Sequence, residues 1–110
     1  MSRKVVILGG SGFIGSHVAD LLSSDGYSVT IFDTEKSPWL RSDQSFVRGD
    51  ITKMADVDAV VEGASVVYNF AALADLNTAI KQPINSVKVN IFGTVLALNL
   101  CFKHKIKRFV

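Results

Sequence analysis

The chain has little of what would give it a covalent framework or a special environment. A single cysteine, Cys101, excludes an internal disulfide. Its place inside an apolar run points to a buried, inert thiol. With two prolines and no repeated or low-complexity segment, there is neither a linker nor a solenoid. No group of His, Cys, Asp and Glu has metal-ligand spacing. Charge of neither sign dominates: 12 basic and 10 acidic residues give a net +2, too small and too dispersed for a nucleic-acid or anionic-membrane partner. The one basic cluster, "KHKIKR" at 103–108, reads as a solvated helix end where Lys103, His104 and Lys105 favour the dipole. No run approaches the roughly 20 apolar residues of a bilayer span. Gly9 and Gly10 also cut short the stretch "VVIL" behind Met1-Ser2-Arg3-Lys4 before it reaches the length of a leader. What remains is one ordinary soluble domain over 1–110, with 48% hydrophobic and 20% charged residues and a cytoplasmic setting as the expectation.

What is present is a regular alternation of short β-rich runs and longer helical patterns. "KVVIL" (4–8) is a continuous β-branched run, as suits a strand buried on both faces. Helical spacing of Ile14, Val18, Leu21 and Leu22 predicts a helix over 13–24 that stops before Gly26. Further strands are expected at 27–33 and 64–72, 45–51 holds a short third strand, and a fifth opens at 106–110. Residues 34–44 read as a polar loop, 53–62 as a helix, 75–82 as a single helical turn before Pro83, and 85–104 as a long helix. This alternation predicts an α/β fold with a doubly wound parallel sheet of Rossmann type and strand order 3-2-1-4-5. The chain stops inside its fifth strand, so it reads as the truncated first part of a longer protein.

Four glycines, Gly9, Gly10, Gly12 and Gly15, crowd the first strand-to-helix junction. Two phosphate-loop patterns fit them, Gly10-x-Gly12-x-x-Gly15 and Gly9-x-x-Gly12-x-x-Gly15. Backbone N–H groups at such a helix start hold a pyrophosphate without a cationic side chain, provided no Cβ intrudes. A bare turn with no ligand needs fewer glycines, each of which costs folding entropy. Asp33 ends the second strand, 18 residues after Gly15. A carboxylate there accepts from a ribose diol and repels a 2′-phosphate, which favours NAD over NADP, although Lys36 and Arg41 nearby would partly offset the repulsion. In "GDI", Asp50 either accepts from an adenine amino group with Ile51 against the ring, or caps the helix at 53–62, a role for which Thr52 competes. In "NFAALAD", Ala71, Ala72 and Ala74 allow close approach of a ligand, and Phe70 is core or ligand wall. Asn90 sits in a helix that is apolar on nearly every side. It is expected to be buried and hydrogen-bonded, as a structural clamp or a site residue. Gly93 beside it suggests close packing, and His17 and His104 read as solvated helix positions.

Taken together, "GGSGFIGSHVADLL", "IFD", "GDI", "NFAA", "VNIFGTVLAL" and "IKRFV" resemble, in order and spacing, the NAD-dependent epimerase/dehydratase family of extended short-chain dehydrogenases/reductases, many of which act on nucleotide sugars. The resemblance spans the whole chain. It implies Gly9, Gly12 and Gly15 as the phosphate-loop glycines, with Phe13 and Ile14 at the pyrophosphate, Asp33 at the adenosine ribose and Asp50-Ile51 at the adenine. It further implies that Phe70, Ala71 and Ala72 line the cofactor and that Asn90 lies near the nicotinamide. On that pattern Gly10 is a small loop residue whose replacement by Ala should be the mildest of the four. Two positions depart from the family pattern: Asn69 stands where His is usual and Leu8 where Thr is common. The family's Ser/Thr and Tyr-x-x-x-Lys residues are missing, since Tyr27 and Tyr68 are followed four positions later by Ile31 and Ala72. No catalytic residue is therefore assigned, and binding without turnover is expected of these 110 residues. The resemblance also implies a homodimer through the long helix and a nucleotide-sugar substrate for the full-length protein. The alternatives are a non-catalytic dinucleotide-sensing module and an NADP-dependent reductase of the same superfamily.

Overall fold

Five short strands form one parallel sheet in the order β3-β2-β1-β4-β5. The computed structural model describes residues 3–110. The strands are β1 (Lys4–Leu8), β2 (Ser28–Asp33), β3 (Gln44–Arg48), β4 (Val66–Asn69) and β5 (Arg108–Phe109). The order is the expected one, and it follows from right-handed crossovers on a sheet with both faces covered. β1 lies at the centre, paired with β2 through Lys4↔Ser28 to Leu8↔Phe32 and with β4 through Val5↔Val66 to Leu8↔Asn69.

Alternation along β1 divides the core in two. Val5 and Ile7 join Val29, Ile31 and Ala19 under helix α1 (Phe13–Ser24). Val6 and Leu8 join Phe32, Val57, Val61, Val67, Leu96 and Leu100 on the opposite face, under helices α2 (Met54–Val61) and α5 (Gly93–Lys103). Between β4 and α5 come the short helices α3 (Leu76–Lys81) and α4 (Pro83–Val87), then a π turn at Lys88–Phe92. Asp75 starts α3 by accepting from the Thr78 amide at 3.0 Å. Cys101 is buried in the core beneath α5, as its apolar surroundings predicted, and burial pushes its thiol up to about 11.

Several expected boundaries shift for identifiable reasons. β3 runs from Gln44 to Arg48, starting one residue before the stretch 45–51 expected to hold it, and beyond it the Asp50 carboxylate accepts from the Thr52 amide at 2.8 Å and hydroxyl at 2.7 Å. Neither Asp50 nor Thr52 caps α2: its N-cap is Lys53, with no side-chain cap bond. β4 ends at Asn69, where the small residues of 70–74 leave the sheet. The long helix begins at Pro83, and its α and π segments run on to Lys103 as 21 residues. That helix is apolar and long enough to cross a membrane by length and composition, which corrects the expectation that no run approaches such a span. One of its faces, with Leu96, Ala97, Leu100 and Cys101, is packed on the sheet.

The histidines separate. His17 is exposed and donates from Nδ1 to the Phe13 carbonyl at 2.7 Å. His104 is not the solvated residue expected: its side chain is 17% exposed, and Nε2 donates to Asp58 Oδ1 at 2.7 Å. Lys103 Nζ reaches the same oxygen at 3.1 Å, so α2 is tied to the end of α5.

The glycine junction also differs from expectation. At Gly9, φ is +76° and a Cβ would stand 2.5 Å from the Ala71 amide nitrogen. At Gly15 a Cβ would stand 2.5 Å from the Gly9 carbonyl oxygen. At Gly10 it would meet Ile31 Cγ2 at 2.7 Å and the Ile7 carbonyl at 3.0 Å, whereas at Gly12 the nearest atom is 3.4 Å away. Gly12, not Gly10, is the most tolerant of the four. Urea unfolding should find that Gly12→Ala costs about 1 kcal/mol or less. Gly10→Ala should cost about 1–3 kcal/mol through overpacking, and Gly9→Ala and Gly15→Ala more than either. Equal losses at Gly10 and Gly12 would contradict this ordering.

The Asp58 tie predicts a pH effect. Hydrogen bonds from His104 and then Lys103 hold the Asp58 carboxyl below the usual aspartate range. An acid with a depressed folded-state pKa stabilises the fold above its unfolded-state value, and that contribution disappears as pH falls through the folded-state value. The stability gap between the wild-type chain and Asp58→Asn should therefore narrow as pH drops below about 4. Unfolding midpoints measured across that range check it, and a gap independent of pH would show that the tie contributes nothing.

Candidate functional site

A cavity of about 500 Å³ opens at the carboxyl ends of the strands, where the chain leaves the paired strands β1 and β4 for opposite faces of the sheet. This is the crevice at which ligands bind in open parallel sheets, and its volume is in the usual range for small-molecule sites. Four segments build it. The β1–α1 turn contributes Gly9, Ser11 and Gly12, and the end of β2 contributes Phe32, Asp33, Thr34 and Glu35. The turn after β3 contributes Gly49 to Thr52, and the segment after β4 contributes Phe70 to Leu73. Asn85 and Val89, four residues apart on the long helix, close one side.

The floor of the cavity is backbone. Gly9 N–H donates to the Phe32 carbonyl at 2.8 Å and Phe70 N–H to the Leu8 carbonyl at 2.7 Å, so the turn is knitted to both neighbouring strands. Helix α1 then starts from Gly12 with no side-chain cap and no acid in its first turn. Its first N–H groups, those of Phe13 and Ile14, have no intrahelical partner by geometry. The Ser11 hydroxyl oxygen is buried and has no hydrogen-bond partner within the protein. A buried hydroxyl and free amides over a helix start suit an anionic, oxygen-rich ligand.

Asp33 braces the same turn. Its Oδ2 accepts from Ser11 N–H at 3.0 Å and its Oδ1 from Thr34 N–H at 2.7 Å. The expected offsetting cations are engaged elsewhere: Arg41 pairs with Asp43 at 2.8 Å and donates to the Ser24 hydroxyl, while Lys36 lines a separate open groove. Across the cavity, the bonds from Thr52, with the charges of Lys53 and Lys88, hold the Asp50 carboxyl below the usual aspartate range. Ile51 is buried, and its side chain lies 3.0 Å from where a Cβ on Gly93 would stand, so the close packing expected at Gly93 is present.

Asn90 is exposed, not buried as expected. Its amide is nonetheless fully used. Oδ1 accepts from Leu73 N–H at 2.7 Å and Nδ2 donates to the Leu73 carbonyl at 3.0 Å. Of the two roles left open for it, this is the clamp. Asn69 adds a second tie, accepting from Ala71 N–H at 3.1 Å and donating to the Thr94 hydroxyl at 3.3 Å.

The cavity thus gathers Gly9, Gly12, Asp33, Asp50, Ile51, Phe70, Ala71 and Ala72. Gly15 lies behind the turn, Asn90 stands one contact back through Leu73, and the Phe13 and Ile14 side chains are exposed outside the lining. Sequence reasoning missed Ser11, Glu35, Asn85 and Val89. The i, i+4 spacing of the last two pointed to a shared face, but nothing local said which wall that face would meet. Among the described residues no group of His, Cys, Asp and Glu suits a metal ion.

Relatives of this chain share both sequence and shape. It is 31% identical over 116 residues to a UDP-glucose 4-epimerase of Rhizobium leguminosarum bv. trifolii, covering 98% of this chain and 34% of the relative. It is 32% identical over 122 residues to a dTDP-glucose 4,6-dehydratase of Streptomyces niveus, covering 97% and 36%. Among solved structures, a UDP-glucose 4-epimerase of Brucella ovis in complex with NAD superposes with a TM-score of 0.85 at 30% identity, covering 98% of this chain and 34% of that one. A UDP-glucose 4-epimerase of Thermotoga maritima with UDP-glucose superposes with a TM-score of 0.91 at 28% identity, covering 97% and 36%. The chain therefore spans about a third of the length of these relatives. The model of the NAD dependent epimerase/dehydratase family matches residues 5–110, and the chain belongs to that family.

Proposed function

We propose that the chain is the NAD-binding part of a nucleotide-sugar-type epimerase or dehydratase. The observation that carries this is the uncapped start of α1, with the partnerless Ser11 hydroxyl in its glycine turn and Asp33 held 3.0 Å from the Ser11 amide. In this reading the pyrophosphate lies on Gly9, Gly12 and the amides of Phe13 and Ile14, while Gly15 lets α1 pack against the turn. That gives Phe13 and Ile14 a role through backbone rather than side chain. Asp33 takes the adenosine ribose, Asp50 and Ile51 border the adenine, and Phe70, Ala71 and Ala72 form the wall toward the nicotinamide. Asn90 acts on that wall through its clamp on Leu73. NAD, when bound, supplies a hydride acceptor and donor for sugar chemistry.

Turnover is proposed to need groups that these 110 residues do not contain. The family chemistry calls for a tyrosine with a lysine four residues on. Tyr68 instead stacks on Phe70, with ring centroids 6.0 Å apart in the core under α1, and Tyr27 precedes β2 at the opposite end of the sheet. The nucleotide-sugar substrate thus belongs to the longer protein. A cytoplasmic setting accords with a single reduced thiol.

The family resemblance also implied a homodimer, and an exposed apolar stripe supports it. Ile84, Val87, Ile91, Val95, Leu98 and Phe102 run along the long helix at spacings of three and four, each more than half exposed. A continuous stripe of that kind marks an association surface. Sedimentation velocity should show a dimer or larger species that dissociates on Val95→Glu. A dilute wild-type monomer would overturn this.

Calorimetric titration tests the cofactor reading. The wild-type chain should bind NAD more tightly than NADP. Asp33→Ala should weaken NAD by about tenfold, the worth of a hydrogen bond to a charged group, and narrow the preference. Tighter NADP than NAD binding by the wild-type chain would overturn the assignment.

A further inference from the structure

The turn after β2 brings two carboxylates, not one, to the ribose end of the cavity. Glu35 lines the cavity together with Asp33 and Thr34. The two acids stand in different situations. Asp33 is already committed to backbone, accepting from Ser11 N–H at 3.0 Å and Thr34 N–H at 2.7 Å. Glu35 is exposed and enters no ion pair among the described residues. Its charge is therefore free to act on whatever occupies the cavity.

The turn that carries Glu35 is braced from the neighbouring strand. Asp33 and Arg48 are register partners on β2 and β3. The Arg48 guanidinium donates to the Thr34 carbonyl at 2.5 Å and lies over the Phe46 ring, 5.6 Å from its centroid. Gly49 N–H donates to the Asp33 carbonyl at 3.0 Å. The turn at 33–35 is thus braced on both of its first two carbonyls. Lys36, the nearest cation in sequence, lines the separate groove with Pro38 and Leu40.

We propose that Glu35 is a specificity-determining residue for the dinucleotide: a second negative charge that, with Asp33, excludes a ribose 2′-phosphate. The proposal rests on the dinucleotide reading above. A phosphate monoester carries a charge of about −1.5 to −2 at neutral pH. Groups lining the same end of a cavity lie within a Debye length of roughly 8–10 Å, so the repulsion is only partly screened. Asp33 supplies one charge, shared with the amides of Ser11 and Thr34. Glu35 has no such partner, and its charge meets the phosphate uncompensated.

Dissociation constants for NAD and NADP, measured by calorimetry on the wild-type chain, Glu35→Gln and the remote control Glu62→Gln, test this. Glu35→Gln should reduce the preference for NAD over NADP by about three- to tenfold at low salt, as expected for one partly screened charge. Glu62→Gln should leave it at the wild-type value. In about 1 M salt, where the Debye length falls to roughly 3 Å, the difference between Glu35→Gln and wild type should nearly vanish. Three outcomes overturn the proposal: a Glu35→Gln preference equal to wild type at low salt, a change that persists undiminished at high salt, or an equal change in Glu62→Gln. Wild-type chain that favours NAD, with Glu35→Gln unmoved, removes the role of Glu35 and leaves the cofactor reading standing. Wild-type chain that binds neither dinucleotide overturns both.

Discussion

The structure depends on one close approach of backbone to backbone. At the end of β1, Gly9 passes so near the segment after β4 that a single carbon on it would stand 2.5 Å from the Ala71 nitrogen. The turn that follows folds back until Gly15 sits equally close to the Gly9 carbonyl. This contact lets α1 begin directly above the strand ends, with its free amides facing the crevice at the ends of β1 and β4. With side chains at those two points the helix would stand off, the amides would move away from the crevice, and the cavity would lose its floor. The charge-free recognition of an anion proposed for this site therefore rests on excluded volume.

The same constraint explains what surrounds the turn. Backbone approach from the β1 side requires small residues on the β4 side, and Ala71 and Ala72 supply them. Small residues pack weakly, so beyond the contacts of Phe70 and Ala71 with the two core clusters the segment after β4 has little apolar anchorage. Hydrogen bonds take over: Asn69 to Ala71 and Thr94, and both ends of the Asn90 amide to Leu73. The π turn at Lys88–Phe92 falls where the Asn90 bond is made, a departure from α geometry that is common at functional sites. The polar ties sit at the cavity edge, and the apolar packing sits below, around Val6, Leu8, Phe32 and Val67.

Much of this was legible in the sequence because each signal was local. The β-branched run at 4–8 and the alternation of elements dictated a buried parallel strand and the sheet order. The glycine spacing dictated the turn, and Asp33 and the "GDI" and "NFAA" segments fell at strand ends where a cavity must open. What was misread depended on partners distant in sequence. Gly10 looked dispensable because its obstacle is Ile31 on the next strand. His104 looked solvated because Asp58 lies 46 residues away. Asn90 looked buried because its helix is apolar all round, yet one face of that helix is uncovered. The end of α5 carries no glycine signal at all: Lys105 takes the left-handed conformation there, at φ +56°.

Glu35 belongs with these nonlocal cases. In sequence it is one acid in a polar loop between two strands, indistinguishable from a solubilising charge. The turn that carries it is braced from β3, through Arg48 on the Thr34 carbonyl and Gly49 on the Asp33 carbonyl. The two walls of the ribose end are thereby built on different principles. Asp33 joins the backbone of the turn and is part of the architecture whether or not a ligand is present, whereas Glu35 contributes only its charge. A site so divided can change its discrimination among dinucleotides by altering Glu35 while the glycine turn, and the sheet beneath it, stay as they are.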